Sequence, residues 1–378
     1  VTRYRPTLAT VDLDAIRHNV RTLRSAAGGA QLCAVVKANA YGHGAVPVAR
    51  ACLEAGASHL AVSSVEEAVE LRAAGIAAPV LLFSEAPLAA LDALLRTEAI
   101  PPVYTTAFAR ELAAAGVARG RDVPVHLCFD TGMGRVGVER ARWTAFLDDL
   151  PSEGLQVVGT WTHLARADES GEPTTSEQLD AFDELLALLA ERGIDPGLVH
   201  VANSAGTLLH DRAHRALDID RVMVRAGIAV YGLSPAQKVD AADHDLRPAL
   251  SLATEVAFAK HVAAGTPISY GHRWEAPADG WVASLPIGYA DGVPRLLTNR
   301  FEALWRGHRR PVVGVVTMDM IHLWCGQEQP EPGDEVVLLG TQGDQRIRVE
   351  DWARTIGTIT YELTCQLTPR LPREYVGA

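Results

Sequence analysis

The sequence predicts an α/β chain with an N-terminal (β/α)8 TIM-like barrel followed by a C-terminal, mostly β domain. Three observations predict it. Short apolar runs recur at 31–37, 59–63, 80–83, 102–104, 123–129, 156–163, 198–202 and 222–225, with helical patterns between them. Eight βα units of this length are what a closed parallel barrel needs. After Tyr231 the rhythm stops: a polar stretch at 234–248 leads into sequence rich in Val, Ile and Thr, with turn signals at 277–280, 330–334 and 340–344. Finally, 378 residues suffice for two sizeable cores. The expected division is 11–235 for the barrel and 236–378 for the β domain, with 1–10 a strand that either can accept. A doubly wound open sheet is the alternative, though it usually has fewer strands.

The helices are justified in order. Residues 12–25 carry Leu13, Ile16, Val20 and Leu23 at helical spacing, with Asp12 placed to cap them. Residues 64–74 open with Ser-Val-Glu-Glu, a strong first turn, and stop at Gly75. The stretch 139–150 also reads as a helix. Residues 176–192 carry Leu179, Phe182, Leu185, Leu186 and Leu189 and end before Gly193.

Composition narrows the function. The chain is 48% hydrophobic and 21% charged, as in ordinary globular proteins. A net charge of −11 argues against nucleic acid and anionic membrane surfaces as partners. Five scattered cysteines without C-x-x-C spacing argue against a disulfide framework or structural zinc, so no metal is expected and a reducing cytoplasm is. The opening residues lack a secretory h-region, and no run approaches the ~18 apolar residues of a membrane span.

Chemistry should gather where barrel strands end. Lys37 ends the first run and is followed at once by Ala-Asn-Ala-Tyr-Gly-His-Gly. A lysine rarely stays buried without a partner, and an amine with a lowered pKa is a nucleophile, so Lys37 suits a Schiff base to an aldehyde cofactor. The plain alternative is a lysine snorkelling into solvent. Asp130-Thr-Gly-Met-Gly-Arg135-Val-Gly follows the fifth run, His163 ends the sixth, Asn203 and Ser204 the seventh, and Arg225 and Gly227 the eighth. This set suits an anionic, phosphate-bearing cofactor held by amides and a hydroxyl.

Taken singly, each residue has a simpler role. His163 would be a hydrogen-bonded structural histidine, Ser204 a helix N-cap, and Arg225 half of an ion pair. The glycines 132, 134 and 137 match G-x-G-x-x-G after a strand and before a helix, the dinucleotide pattern. They belong to the fifth unit rather than the first, and no acid about 20 residues on sits at a strand end. Nicotinamide dinucleotide is therefore the second cofactor reading.

The chain resembles the alanine racemase family of fold-type III pyridoxal-phosphate enzymes. The matching stretches are 34–44, 130–137, 161–169, 202–205 and 224–232. In the second domain they are Ile268-Ser-Tyr-Gly271, Leu285-Pro-Ile-Gly-Tyr-Ala-Asp-Gly-Val293, Val316-Thr-Met-Asp319 and Thr358-Ile-Thr-Tyr-Glu362. They keep the family's order over nearly the whole chain.

That resemblance implies a set of roles. Lys37 would carry pyridoxal 5'-phosphate. Tyr41, Ser204, Tyr361, Gly227 and Ile228 would hold the phosphate, with Asn203 beside Ser204. Arg225 would face the pyridine nitrogen and His163 would bridge toward it; an arginine cannot accept the ring proton, so the ring is a weaker electron sink. Arg135 and the Met318 amide would hold the substrate carboxylate. Racemisation needs a base on each face of a planar carbanion, and the family's second base matches Tyr270, contributed by the other subunit of a homodimer. A phenol titrates near ~10, so it needs positive neighbours. Tyr289, Arg295 and Asp319 would line or support the access corridor. The simpler role for Tyr270 is a core tyrosine with its hydroxyl at the rim.

The implied activity is interconversion of L- and D-alanine, supplying D-alanine for peptidoglycan. A serine or broad-specificity amino-acid racemase is the near alternative. A decarboxylase or D-threonine aldolase on the same barrel would lack Tyr270, and a cofactor-binding carrier would lack the second domain. Two departures stand out. Many relatives carry a carbamylated lysine where this chain has Cys128, so Arg135 would depend on a bound anion, Asp130 or water; and Arg166 replaces smaller residues.

Overall fold

The computed structural model describes residues 4–169, 171–215, 221–236 and 239–377. Parts of the opening stretch and of the 234–248 linker therefore lie outside the described residues. The chain forms two compact units. One is Ala15–Ala40 with Ala45–Arg247; the other is Val1–Asp14 with Tyr41–Gly44 and Pro248–Ala378.

The strands, in chain order, begin with β1 (Leu8–Asp12) and continue with β2 (Gln31–Val35), β3 (His59–Val62), β4 (Val80–Leu82), β5 (Pro102–Val103), β6 (Val123–Asp130), β7 (Val138–Glu139), β8 (Leu155–Trp161), β9 (Leu198–His200) and β10 (Met223–Ala226). All pairings among β2–β10 are parallel. They make two arcs, β10-β2-β3-β4 and β5-β6-β8-β9, with β7 paired to β6 outside the second arc. Parallel bridges from Leu81 to Ile100 and from Val199 to Val222 join the arcs at both seams, so the eight strands close into a ring. Buried on both faces, these strands are the near-continuous apolar runs that the sequence displays.

The helices follow local signals. Leu13–Ala26 buries Ile16, Val20 and Leu23 completely, and the Asp12 carboxylate accepts the Asp14 amide at 2.9 Å. Val65–Ala73 starts on a capping box between Ser64 and Glu67. Thr174–Glu191 buries Leu179, Phe182, Leu185 and Leu189. The expected helix at 139–150 is shorter: a 3-10 turn, Arg140–Arg142, leads into Trp143–Asp148.

That region corrects the dinucleotide reading. Gly137 is followed by β7, not by a helix N-terminus, and a Cβ on it would sit 2.7 Å from the Asp130 amide nitrogen. Its glycine serves close strand pairing. Gly132 and Gly134 lie in a loop whose amides bond to Asp130.

The second unit is one antiparallel-rich sheet built from β11 (Leu250–Glu255), β12 (Phe258–Val262), β13 (Gly280–Leu285), β14 (Glu302–Trp305), β15 (His308–Val313), β16 (Ile321–Gly326), β17 (Glu335–Gln342), β18 (Gln345–Ile347) and β19 (Arg373–Val376). Its order is β12-β13-β16-β15-β14-β17-β11-β1-β19, with β18 on β17. The N-terminal β1 lies between β11 and β19, antiparallel to one and parallel to the other. The segment Tyr41–Gly44 also belongs here: a Cβ on Gly42 would lie 2.0 Å from the Thr364 carbonyl oxygen, and Arg373 Nε donates to the Gly42 carbonyl at 3.2 Å.

Candidate active site

Lys37 lies two residues past the end of β2, and its Nζ is 5.4 Å from the centroid of the Phe83 ring beyond β4. Its backbone begins an unusual turn. Ala38, Asn39, Ala40 and Tyr41 all have φ between 51° and 53°. Left-handed helix costs L-residues about 1–2 kcal/mol each, so four in a row require external support. Three bonds within the barrel unit provide it. Ala40 donates to the Val36 carbonyl at 2.8 Å, Ala45 donates to Asn39 Oδ1 at 2.8 Å, and Ala38 donates to Glu67 Oε1 at 2.6 Å.

Arg225, in β10, is only 2% exposed. Nη1 donates to His200 Nδ1 at 2.8 Å and to the His200 carbonyl at 2.6 Å. Nη2 donates to the Thr162 carbonyl at 2.8 Å and to His163 Nδ1 at 3.2 Å. The guanidinium also stands 4.9 Å from the Trp161 ring centroid. Among the described residues no carboxylate pairs with it, and its buried Nε finds no hydrogen-bond partner. Burial lowers its pKa to about 10, so it stays charged near neutrality.

The imidazoles around it are neutral. Burial, then the charge of Arg225 and its neighbours, pushes His163 down to about 3; burial and nearby His59 and Arg225 do the same to His126. His200 is driven well below its ordinary value by burial first and Arg225 second. An arginine can only donate, so His200 Nδ1 is an acceptor and its Nε2 carries the proton. That Nε2 therefore donates to His126 Nδ1, 2.7 Å away. By the same logic His163 accepts at Nδ1 and keeps its proton on Nε2. The chain His126–His200–Arg225–His163 thus has one consistent set of tautomers.

His126 and His200 were not among the residues singled out from sequence. They lie 74 positions apart, and no local pattern joins them. The one available signal was Gly159 on β8, where a Cβ would come 2.5 Å from the His126 ring; a glycine inside a strand marks close approach.

Ser204 does not cap its helix. The N-cap of Ser204–Leu209 is Asn203, whose Oδ1 accepts the Gly206 amide at 2.9 Å. The Ser204 hydroxyl instead accepts the amides of Gly227 at 2.9 Å and Ala229 at 3.3 Å. Both lone pairs are used, which leaves its O–H to donate. Ile228 starts the 3-10 turn Ile228–Tyr231, where first-turn amides lack intrahelical partners.

Arg135 is exposed on the loop after β6. Asp130 does not hold it: that carboxylate accepts the amides of Gly132, Met133 and Gly134 at 2.8, 2.8 and 2.9 Å. Cys128 is buried as a neutral thiol, its pKa raised by burial. It cannot supply the negative charge that a carbamate would. Arg166 is paired with Glu169 and Glu172, facing acids of its own loop.

In the β unit, Tyr41 and Tyr361 stand together with ring centroids 6.0 Å apart. Tyr270 opens a 3-10 turn entered through Ser269 at φ 66° and is 74% exposed. Met318 lies on the loop between β15 and β16 and is also exposed. Tyr289 donates its amide to the Thr317 carbonyl at 2.9 Å and Ala290 to the Met318 carbonyl at 3.1 Å, which ties the two loops together. Gly288 is required there, since a Cβ would lie 2.3 Å from the Thr317 oxygen. Arg295 is exposed, and Asp319 accepts from Arg370 Nη2 at 2.8 Å.

Comparison with known proteins decides the family. The model "Alanine racemase, N-terminal domain" matches residues 11–235, and "Alanine racemase, C-terminal domain" matches 249–375. The chain belongs to the alanine racemase family. The alanine racemase of Symbiobacterium thermophilum is 45% identical over 375 residues, covering 99% of this chain and 98% of the relative. The crystal structure of alanine racemase from D-cycloserine-producing Streptomyces lavendulae superposes with a TM-score of 0.92 at 40% identity, covering 100% of this chain and 98% of that one. That of Bartonella henselae, with covalently bound pyridoxal phosphate, gives a TM-score of 0.85 at 28% identity, covering 98% and 99%. Alanine racemases are isomerases, and the barrel-plus-β architecture is theirs.

Proposed function

We propose that this chain is a pyridoxal-phosphate-dependent racemase that interconverts L- and D-alanine. The observation that carries the reading is the buried Arg225, which among the described residues has neither a carboxylate to pair with nor a hydrogen-bond partner at Nε. A buried cation with an idle donor fits a ring nitrogen that accepts a hydrogen bond. The Ser204 O–H fits a phosphate in the same way.

When bound, pyridoxal phosphate supplies the electron-withdrawing ring that acidifies the α-C–H of an attached amino acid. The remaining work belongs to the chain. Lys37 Nζ would carry the cofactor covalently and, once the substrate's amine has displaced it, would take or return the α-proton on one face. The Tyr270 oxygen serves the opposite face. Arg225 Nε would be the donor for the ring nitrogen, and its fixed charge would keep that nitrogen unprotonated. His163 Nδ1 accepts from Arg225 Nη2 and steadies the guanidinium. Ser204, its hydroxyl held by the Gly227 amide at 2.9 Å, would hold the phosphate with the amide of Ile228 and the phenols of Tyr41 and Tyr361, and Asn203 orients Ser204 by capping its helix. Arg135 and the Met318 amide hold the substrate carboxylate. Tyr289, Arg295 and Asp319 line or support the access corridor.

The active form in this reading is a homodimer in which Tyr270 and Met318 of one subunit complete the barrel site of the other. Their exposure supports it: a catalytic phenol 74% exposed on its own chain needs a second surface to exclude water. Tyr289, Leu296, Met320 and Ile359 add further exposed apolar groups to the β unit. The product D-alanine would serve peptidoglycan synthesis in the cytoplasm. Free thiols at all five cysteines support a reducing compartment, and among the described residues no helix is long and apolar enough to cross a membrane.

Turnover of L- and D-alanine, against L-serine, by protein loaded with pyridoxal phosphate tests the reading. Equilibration of the alanine enantiomers supports it; a loaded protein inert toward both overturns it.

A further inference from the structure

Glu67 is the third residue of the helix Val65–Ala73 and half of a capping box. A capping box requires one carboxylate oxygen and one amide. Here the carboxylate gathers three amides from two loops. Oε2 accepts Ser63 at 2.7 Å and Ser64 at 3.3 Å, while Oε1 accepts Ala38 at 2.6 Å. Ala38 directly follows Lys37 and is the first residue of the left-handed run at 38–41. Such a run has no intrinsic stability for L-residues, so it persists only where surrounding groups fix it.

We propose that Glu67 is a positioning residue for Lys37: its carboxylate ties the lysine-bearing turn after β2 to the loop after β3 and fixes the direction from which the amine meets the cofactor. This rests on Lys37 being the cofactor lysine. The geometry of the restraint does not. Ala38 and Ser63–Ser64 leave adjacent parallel strands, so a carboxylate reaching both sets the spacing of two strand ends at once. Asn39 Oδ1 and the Val36 carbonyl fix the rest of the turn, so Glu67 is the only one of these anchors that ties it to the next strand's loop. A hydrogen bond to a charged acceptor is stronger than a neutral one, which suits a segment held against its own preference.

The test compares Glu67→Ala, Glu67→Gln and Ser64→Ala in the holoenzyme. Ser64→Ala removes the other half of the capping box and leaves the Glu67–Ala38 bond in place. Amide hydrogen exchange across 38–41 reads the turn, and release of pyridoxal phosphate into an excess of a cofactor-trapping apoprotein reads its consequence. Glu67→Ala should raise both by about tenfold or more, the loss of one charge-assisted bond. Glu67→Gln, with a single acceptor oxygen, should fall between, and Ser64→Ala should leave both as in the parent while lowering Tm. If Glu67→Ala lowers Tm but moves neither exchange at 38–41 nor cofactor release, Glu67 is a helix cap alone and the proposal fails. Should Glu67→Ala not fold, Glu67→Gln carries the same comparison. If exchange rises while the parent never holds the cofactor, the restraint stands and the racemase reading fails instead.

Discussion

Arg225 Nη1 lies 2.8 Å from His200 Nδ1, and because a guanidinium only donates, that contact settles which nitrogen of the imidazole bears its proton. The choice passes on to His126 and is mirrored at His163. One buried cation thereby sets three neutral rings, and among the described residues its Nε is left without a hydrogen-bond partner.

The first prediction concerns pH. His126 and His163 are held near 3 when folded, against an ordinary value of 6.5. Between these values the unfolded chain binds more protons, so stability rises with pH there. The contribution is complete above about 6.5 and is lost as pH falls toward 3. Tm measured from pH 8 down to 4 should fall with acid, and the imidazole nitrogen resonances of both residues should remain those of neutral rings at pH 6.

Gly159→Ala is expected to destabilise the barrel by about 1–3 kcal/mol, because the added methyl meets the His126 ring and must displace it. Chemical denaturation measures this. A variant as stable as the parent would mean that the imidazole can move freely, and the His126–His200 bond would then carry little.

Ser204→Ala should do two things at once. It strands the amides of Gly227 and Ala229 in the interior, a cost of about 1–3 kcal/mol, and it removes the O–H proposed to donate to the phosphate. Equilibrium dialysis should show weaker retention of pyridoxal phosphate than in the parent, with lower Tm in the apoprotein as well.

The sequence displayed much of this fold because buried parallel strands must be apolar throughout. All eight runs from 31–37 to 222–225 became strands, and Ser64 with Glu67 marked a helix start correctly. Three features were hidden for physical reasons. Of Lys-Ala-Asn-Ala-Tyr only Asn39 tolerates left-handed φ readily, and the four-residue run is held by bonds from Glu67, Asn39 and the Val36 carbonyl. The His126–His200 pair joins β6 to β9 through space. Ser204 looked like a cap, and Asn203 won that place because its amide reaches the Gly206 N–H while the hydroxyl is drawn to the turn after β10. Tyr270 and Met318 could be proposed for a role only through the family's motifs, since they sit on exposed loops that no periodicity marks.

Tyr270→Phe should keep bound cofactor and its absorbance but lose racemisation from both enantiomers alike, because their equilibrium constant is one, while still exchanging the α-proton of D-alanine with solvent and no longer that of L-alanine. Deuterium incorporation into each enantiomer in heavy water decides this. Equal loss of exchange from both enantiomers would count against a separate base for each face.

The central claim is that Lys37 carries the cofactor, and borohydride reduction followed by peptide mass spectrometry tests it most directly. Reduced holoprotein should bear one phosphopyridoxyl group on the peptide containing Lys37, and Lys37→Ala should bear none. A label on another lysine, or no label on a protein that racemises alanine, would contradict the account.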